Sequence, residues 1–162
     1  MKLDGSCHCQ SVIFSLESKH PYPFNICYCS ICRKTAGSGG SAINLSGDFS
    51  SLKVQGKENL SIYHARLIDE KTKKITESPM QRSFCKTCGS HLWGWDPRWP
   101  ELVHPHAAAI DTKLPTPPEH THLMVGSKPT WVHVRSSEND KKFEEYPDES
   151  IAAWHDRLNL TC

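Results

Sequence analysis

The stretch Gln81-Arg82-Ser83-Phe84-Cys85-Lys86-Thr87-Cys88-Gly89-Ser90-His91-Leu92-Trp93-Gly94-Trp95 decides the fold. Two strand-like runs, Gln81 to Cys85 and His91 to Trp95, flank a C-x-x-C that ends on glycine, and they read as the two arms of a β-hairpin. A C-x-x-C across a tight turn converges its two sulfurs. Gly89 supplies the backbone freedom such a knuckle needs. Zinc takes four tetrahedral thiolates at roughly 2.3 Å, so this knuckle provides half of a site. The other half must come from elsewhere in the chain.

Outward from the knuckle, the same short-strand pattern repeats. Ser11 to Leu16, Pro23 to Tyr28, Ser41 to Leu45, Ser51 to Val54 and Leu60 to Ala65 read as strands upstream, with Lys71 to Lys74 as a solvated hairpin tip. His106 to Ile110, His122 to Val125 and Trp131 to Val134 continue the pattern downstream. Many short strands at near-regular spacing predict an all-β, sandwich-like fold. The Pro-rich run Leu114 to Pro118 reads as a loop within one domain spanning 1–162, because too little chain follows it for a second core. A short helical turn is expected after Cys32, running toward Ala36 and stopping at Gly37. A C-terminal helix is expected from an Asp148 cap, with Ile151, Trp154 and Leu158 on one face.

Seven of the eight cysteines fall into motifs. Cys7-His8-Cys9 is a C-x-C, and residues i and i+2 of an extended chain project from one face, so its thiols lie side by side. Cys27-Tyr28-Cys29-Ser30-Ile31-Cys32 is a C-x-C-x-x-C. One C-x-C plus one C-x-x-C gives a closed four-thiolate site from Cys7, Cys9, Cys85 and Cys88. Such a site clips together a loop of about 75 residues. Cys27, Cys29 and Cys32 then remain as a local triplet with a vacant fourth position, which is the arrangement of a catalytic zinc. Spacing also permits Cys29 and Cys32 to join Cys85 and Cys88, leaving Cys7 and Cys9 with Cys27. Cys162 reads as a free thiol.

Composition narrows the function classes. Lys and Arg total 19 against 18 acidic residues, a net charge of +1, which gives no electrostatic reason to expect nucleic acid or an anionic membrane as partner. No apolar run approaches the roughly 18 residues of a membrane span. Met1 to Ser6 lacks the apolar stretch of a signal peptide, so a cytoplasmic, reducing compartment is expected. There, cysteines bind metal or react more often than they pair as disulfides. Apolar residues make up only 37% of the chain, a thin core of the kind that metal sites cross-link.

At these residues the chain resembles the glutathione-dependent formaldehyde-activating enzyme family, also called the centromere protein V/Gfa family. Gly5-Ser6-Cys7-His8-Cys9-Gln10-Ser11-Val12 with Phe14, Cys27 to Lys34, and Phe84 to Leu92 resemble its three cysteine blocks. His122, Gly126-Ser127-Lys128-Pro129, Trp131 and Phe143-Glu144-Glu145-Tyr146-Pro147 also look like family positions. The resemblance implies an Mss4-like fold of bent antiparallel sheets stapled by zinc over a core of about residues 3–147, with 148–162 as a helical extension. It implies a structural zinc on Cys7, Cys9, Cys85 and Cys88 and a catalytic zinc on Cys27, Cys29 and Cys32. The chain departs from the family in two places. Gln10 stands where glycine is usual, and His104 to Asp111 replaces a Gly-Thr-Leu-Asp stretch.

Three thiolates on Zn²⁺ leave a net charge of about −1, a weak Lewis acid that suits a fourth thiolate better than a polarised carbonyl. The implied activity is that of a carbon–sulfur lyase. A substrate thiol such as glutathione, bound as thiolate, attacks formaldehyde or departs when S-(hydroxymethyl)glutathione breaks. Arg33 and Lys34 are candidates for holding a substrate carboxylate. His91, His122 and Trp95 are candidates for a proton shuttle and pocket wall. The rival expectation from another class is a non-catalytic, zinc-stabilised protein-binding module of the same fold.

Overall fold

The computed structural model describes residues 1–160. Along the chain the strands are β1 (Lys2–Ser6), β2 (Ile13–Glu17), β3 (Phe24–Cys27), β4 (Ala42–Asn44), β5 (Gly47–Asp48), β6 (Lys53–Gln55), β7 (Leu60–Ile68), β8 (Ile75–Cys85), β9 (His91–Trp95), β10 (Leu102–Pro105), β11 (His120–Leu123) and β12 (Lys141–Lys142). Two helices, α1 (Ser30–Ala36) and α2 (Ile151–Arg157), accompany them. The architecture is mostly β with a short C-terminal helix. Strands order as β1-β2-β6, as β5-β10-β9-β8-β7, and as β12-β11-β3-β4.

Alternation makes the first sheet. In β1 and β2, Leu3, Phe14 and Leu16 point inward and are at most 1% exposed, while Lys2, Asp4 and Glu17 face out. The antiparallel register Lys2↔Glu17 to Ser6↔Ile13 leaves Cys7 to Val12 as the connecting turn. The inward side chains meet Leu92, Trp93 and Val103 of the second sheet in one core, with the Phe14 and Trp93 rings 5.0 Å apart. Cys7 and Cys85 belong to that same core. Hence the first cysteine turn and the β8–β9 knuckle are brought together by apolar packing as well as by chemistry. In the first turn Gln10 has φ +61°, a left-handed conformation that glycine takes without strain and other residues at a cost of about 1 kcal/mol. Its side chain donates to Ser6 Oγ at 3.1 Å, which partly offsets that strain.

Several expectations are corrected here. The third sheet is not antiparallel throughout: β11 pairs parallel with both β3 and β12. A long excursion through the second sheet separates β3 from β11, and a parallel return needs such a crossover. Ser51 to Val54 gives way to a 3-10 turn at Phe49–Ser51 and a later strand, because Asp48 accepts from the Ser50 amide and tightens the chain locally. His106 to Ile110 is a 3-10 turn at Ala107–Ala109, alanines being poor strand formers; the strand lies earlier, at β10. His122 to Val125 starts at His120 instead and stops at Leu123, where Met124 turns left-handed at φ +59°. Trp131 to Val134 is irregular.

The C-terminal helix forms where expected, but Ser150 caps it rather than Asp148; Ser150 Oγ accepts from the Ala153 amide at 3.1 Å. Its Trp154 is 1% exposed and donates through Nε1 to Glu119 at 2.8 Å. Arg157 bonds both carboxylate oxygens of Glu119, at 2.6 and 3.0 Å, and those of Glu149 as well. Trp154→Ala should lower stability by about 3–5 kcal/mol, since it removes the buried ring and leaves a Glu119 oxygen without that donor. Urea unfolding followed by circular dichroism measures this. A loss under 1 kcal/mol would mean the helix is not integral to the core. The sequence-based reading of Cys162 lies outside the described residues.

Candidate metal centres and a neighbouring cleft

The β8–β9 knuckle closes as its sequence requires. Cys85 accepts the Gly89 amide at 2.8 Å and donates its own amide to Ser90 at 2.9 Å, with Gly89 at φ +76°. The first turn mirrors it: the Cys7 amide donates to the Val12 carbonyl at 3.0 Å, and the Gln10 amide donates to the Cys7 carbonyl at 3.0 Å. Between the two turns the sulfurs of Cys7, Cys9, Cys85 and Cys88 all lie within 4.8 Å of one another. Cys7 and Cys9 are 3.5 Å apart and Cys9 and Cys85 3.7 Å. Sulfurs about 2.3 Å from a tetrahedral zinc stand about 3.8 Å apart, whereas a disulfide needs about 2.05 Å. The spacing is that of ligands.

A second group gathers at the C-terminal end of β3. Cys27 ends the strand, Cys29 is the N-cap of α1, and Cys32 sits in the first helical turn, where its amide donates to Cys29 Sγ at 3.3 Å. Their sulfurs also lie within 4.8 Å of one another, and among the described residues no other histidine, cysteine or carboxylate joins them. The mixed grouping that spacing also permitted does not occur. The helix extends one turn closer to the cysteines than expected, starting at Ser30 and capped by Gly37.

The electrostatics of both groups fit a divalent cation. Hydrogen bonds from Cys27 and Cys32 pull the Cys29 thiol down to about 2, and Cys27's bonds with Cys29 and Cys32, with its burial, push Cys27 far up. Cys32 is drawn down by Cys27, but its contact with Cys29 and its burial outweigh that and hold it at about 11. The Cys29 sulfur accepts from neighbouring thiols that keep their protons, and burial and then thiolate repulsion add to the cost of a second anion. A doubly charged ion removes that repulsion and releases the protons. In the four-cysteine group, the Ser90 hydrogen bonds lower Cys88 to about 5 while burial raises Cys7 to about 11.

The remaining candidates separate. Arg33, Lys34 and His91 line one cleft of about 680 Å³, shared with Ser90, His106 and Asp111. It runs from α1 to the β8–β9 knuckle and the Ala107–Ala109 turn. Trp95 lies elsewhere: it stacks on Phe49 at 5.0 Å and donates to the Pro100 carbonyl at 3.1 Å. His122 is 1% exposed, beneath the cysteine loop rather than in the cleft, with Nδ1 2.9 Å from the Tyr28 hydroxyl and Nε2 3.6 Å from Asp140. Since Tyr28 stands between Cys27 and Cys29, His122 buttresses that loop from behind.

Asp140 anchors this support. Burial alone would raise its pKa, yet the His120 and Ser137 amides at 2.8 and 2.7 Å and the His120 ring at 3.0 Å hold its carboxyl well below the usual carboxylate range. A carboxyl with a depressed folded pKa stabilises the fold above its unfolded value near 3.8, and that contribution disappears as pH falls from there through the lowered folded value. Asp140→Asn should therefore cost about 1–3 kcal/mol at pH 7, with the gap to wild type closing below about pH 4. Denaturant melts at pH 7 and pH 3 check it; a gap that stays constant with pH would refute the charged role.

Two residues of this region escaped the sequence reading. Arg82 is only 7% exposed in mid-strand, with Nη1 unpartnered, and its charge acts on Cys32, His91 and His106. His106, 2% exposed, packs its ring 4.2 Å from His91. A cation inside a strand that runs into a ligand pair was the available signal for Arg82. The departure at His104 to Asp111 was the signal for His106.

A β protein with two cysteine groups at metal-ligand spacing, and a polar cleft running from α1 to the first of them, defines the class. Comparison with known proteins makes it specific. The family profile described as glutathione-dependent formaldehyde-activating enzyme matches residues 2–127. A relative from Halomonas elongata, provisionally named a glutathione-dependent formaldehyde-activating enzyme, is 61% identical over 160 residues, covering 99% of this chain and 98% of its own. A Rhodobacter sphaeroides protein of known crystal structure, a structural-genomics target, is 29% identical with a TM-score of 0.52, over 71% of this chain and 92% of that one. The chain belongs to the glutathione-dependent formaldehyde-activating enzyme family. Among the described residues no helix is long and apolar enough to cross a membrane.

Proposed function

We propose that the protein is a zinc-dependent carbon–sulfur lyase that interconverts glutathione plus formaldehyde with S-(hydroxymethyl)glutathione. The observation that carries this reading is the triplet itself: three sulfurs of one short segment converge, with no fourth protein ligand among the described residues, at the start of a helix whose Arg33 and Lys34 line a polar cleft. Cys27, Cys29 and Cys32 would hold a zinc ion, whose charge would favour the thiolate form of an incoming thiol. The thiolate sulfur forms a bond to the formaldehyde carbon, the carbonyl π pair moves to oxygen, and that oxygen takes a proton to become the hydroxyl. In reverse the C–S bond breaks and the thiolate leaves.

The chain's own residues orient this chemistry. The α1 N-cap and the Tyr28–His122 contact fix the three sulfurs in place. Arg33 and Lys34 follow directly and offer positive charge to the substrate's carboxylates. Cys7, Cys9, Cys85 and Cys88 would hold a second zinc through four protein thiolates, a structural role.

Metal analysis together with two-dimensional exchange NMR on ¹³C-formaldehyde and glutathione tests the reading. The spontaneous addition is the baseline. Two zincs per chain and exchange well above baseline are expected; a fully zinc-loaded protein that accelerates exchange with no thiol refutes it.

A further inference from the structure

Among the described residues one sheet edge is both long and open. β7 is the outer strand of β5-β10-β9-β8-β7 and runs nine residues, against two for β5 at the opposite edge. The Asp69 amide donates to Lys74 at 3.0 Å and the Lys86 amide to Asn59 at 2.9 Å, so odd-numbered positions at both ends of β7 face β8. The irregularity between those ends adds its extra residues to β8, since Gln81 and Glu77 oppose His64 and Arg66, and β7 keeps its alternation. The backbone groups of Ile62, His64, Arg66 and Ile68 therefore point away from the sheet, and no described residue hydrogen-bonds to them. Such a row pairs readily with another strand unless shortness, proline or charge blunts it. β7 has no proline, and its one Lys or Arg is Arg66.

We infer that β7 is the interface of a twofold dimer, in which it pairs antiparallel with β7 of a second copy about Ala65 and joins the two five-stranded sheets into one continuous sheet. The inference is independent of the chemistry proposed above.

The strand's own symmetry selects a second copy as the occupant. Its exposed apolar side chains flank Ala65 evenly, Ile62 and Tyr63 before it and Leu67 and Ile68 after it, all 41–61% exposed. Antiparallel pairing centred on Ala65 sets Ile62 opposite Ile68 and Tyr63 opposite Leu67, once on each side of the axis. The same register brings the outward backbone groups of Ile62 and His64 to those of Ile68 and Arg66, whereas a slip of one residue would set them against positions already bonded to β8. Ile75 stands across from Ile68 on β8, so each end of the interface gathers three isoleucines, one of them from the second copy. Ala65, on the axis, is already buried and has only a methyl group to place. Beyond the strand, Glu70 and Lys71 at the exposed tip come alongside Lys57 and Glu58 of the second copy, so both signs find opposites at each end. A foreign strand would demand no such symmetry. Five large side chains about half exposed and a nine-residue edge fall somewhat short of the roughly 800 Å² per partner of a stable interface, so a dimer of micromolar affinity is expected.

Sedimentation equilibrium of the zinc-loaded chain tests this, with circular dichroism to confirm that each variant is folded. The wild type should be a dimer at about 100 µM. Ile62→Lys/Ile68→Lys sets like charges opposite one another on both sides of the axis and should weaken the dimer by about 100-fold or more. Ile62→Lys/Ile68→Glu charges the same two positions, yet in this register each new cation meets a new anion, so affinity should return to within about 10-fold of wild type. Both positions are exposed in the single chain, so neither variant should unfold it. A wild type that stays monomeric at about 100 µM overturns the inference and leaves the edge to a strand from another protein. A dimer that Ile62→Lys/Ile68→Lys leaves intact overturns it too, as does a charge-swapped variant no more dimeric than Ile62→Lys/Ile68→Lys.

Discussion

Cys29→Ser is expected to abolish accelerated thiol–aldehyde exchange, by about 10³-fold or more, and to lower the zinc content from two per chain to one, while the fold survives. The separation follows from the position of Cys29. It is at once a member of the sulfur triplet and the N-cap of α1, accepting the Cys32 amide. Serine is a better N-cap than cysteine, so the helix should persist. The hydroxyl is a harder, shorter ligand of much higher pKa, and a site reduced to two thiolates no longer holds the ion in an open three-ligand geometry. Loss of metal removes the several kcal/mol of transition-state stabilisation it provides, and each 1.36 kcal/mol is a factor of ten. Exchange NMR, metal analysis and circular dichroism on the same sample read all three. Retention of both zincs with exchange within two-fold of wild type would end the assignment.

How much of this was legible in the sequence depends on the range of the interaction. The cysteine motifs are local: C-x-C and C-x-x-C-G dictate where sulfurs converge whatever surrounds them, and the β8–β9 hairpin was readable from its two arms. Strands β5 and β12 are two residues long and carry no periodicity to read. Helical and turn chemistry overrode strand-like runs at Asp48 and at Ala107 to Ala109. The parallel β3–β11 pair joins residues nearly a hundred positions apart, and no local signal gives its direction. That pairing nevertheless determines the site, because it places Leu123 against Cys27 and buries His122 under Tyr28. Arg82 was hidden for a related reason. A register shift between Ser83 and Phe84 breaks the simple alternation, so the face on which Arg82 lies could not be counted from the strand's ends.

The largest effect on stability is expected at the other cysteine group. Cys85→Ser, or removal of zinc by a strong chelator, should lower stability by about 5 kcal/mol or more and the melting midpoint by about 15 °C. Cys85 is 0% exposed within the central core, so serine there both loses a ligand and buries a hydroxyl. Its contact with Cys9 spans 76 positions, and clipping a loop of that length removes about 4–5 kcal/mol of chain entropy from the unfolded state. The clip also joins the turn of the first sheet to the knuckle of the second, so its loss frees both edges of the shared core. Cys29→Ser touches neither the core nor that loop and should shift the midpoint by only a few degrees. The two melts, followed with zinc content, form a single test. If Cys85→Ser melted as high as Cys29→Ser, the four-cysteine group would not be what holds the sheets together, and apolar packing of Leu3, Phe14 and Trp93 would have to account for their union alone.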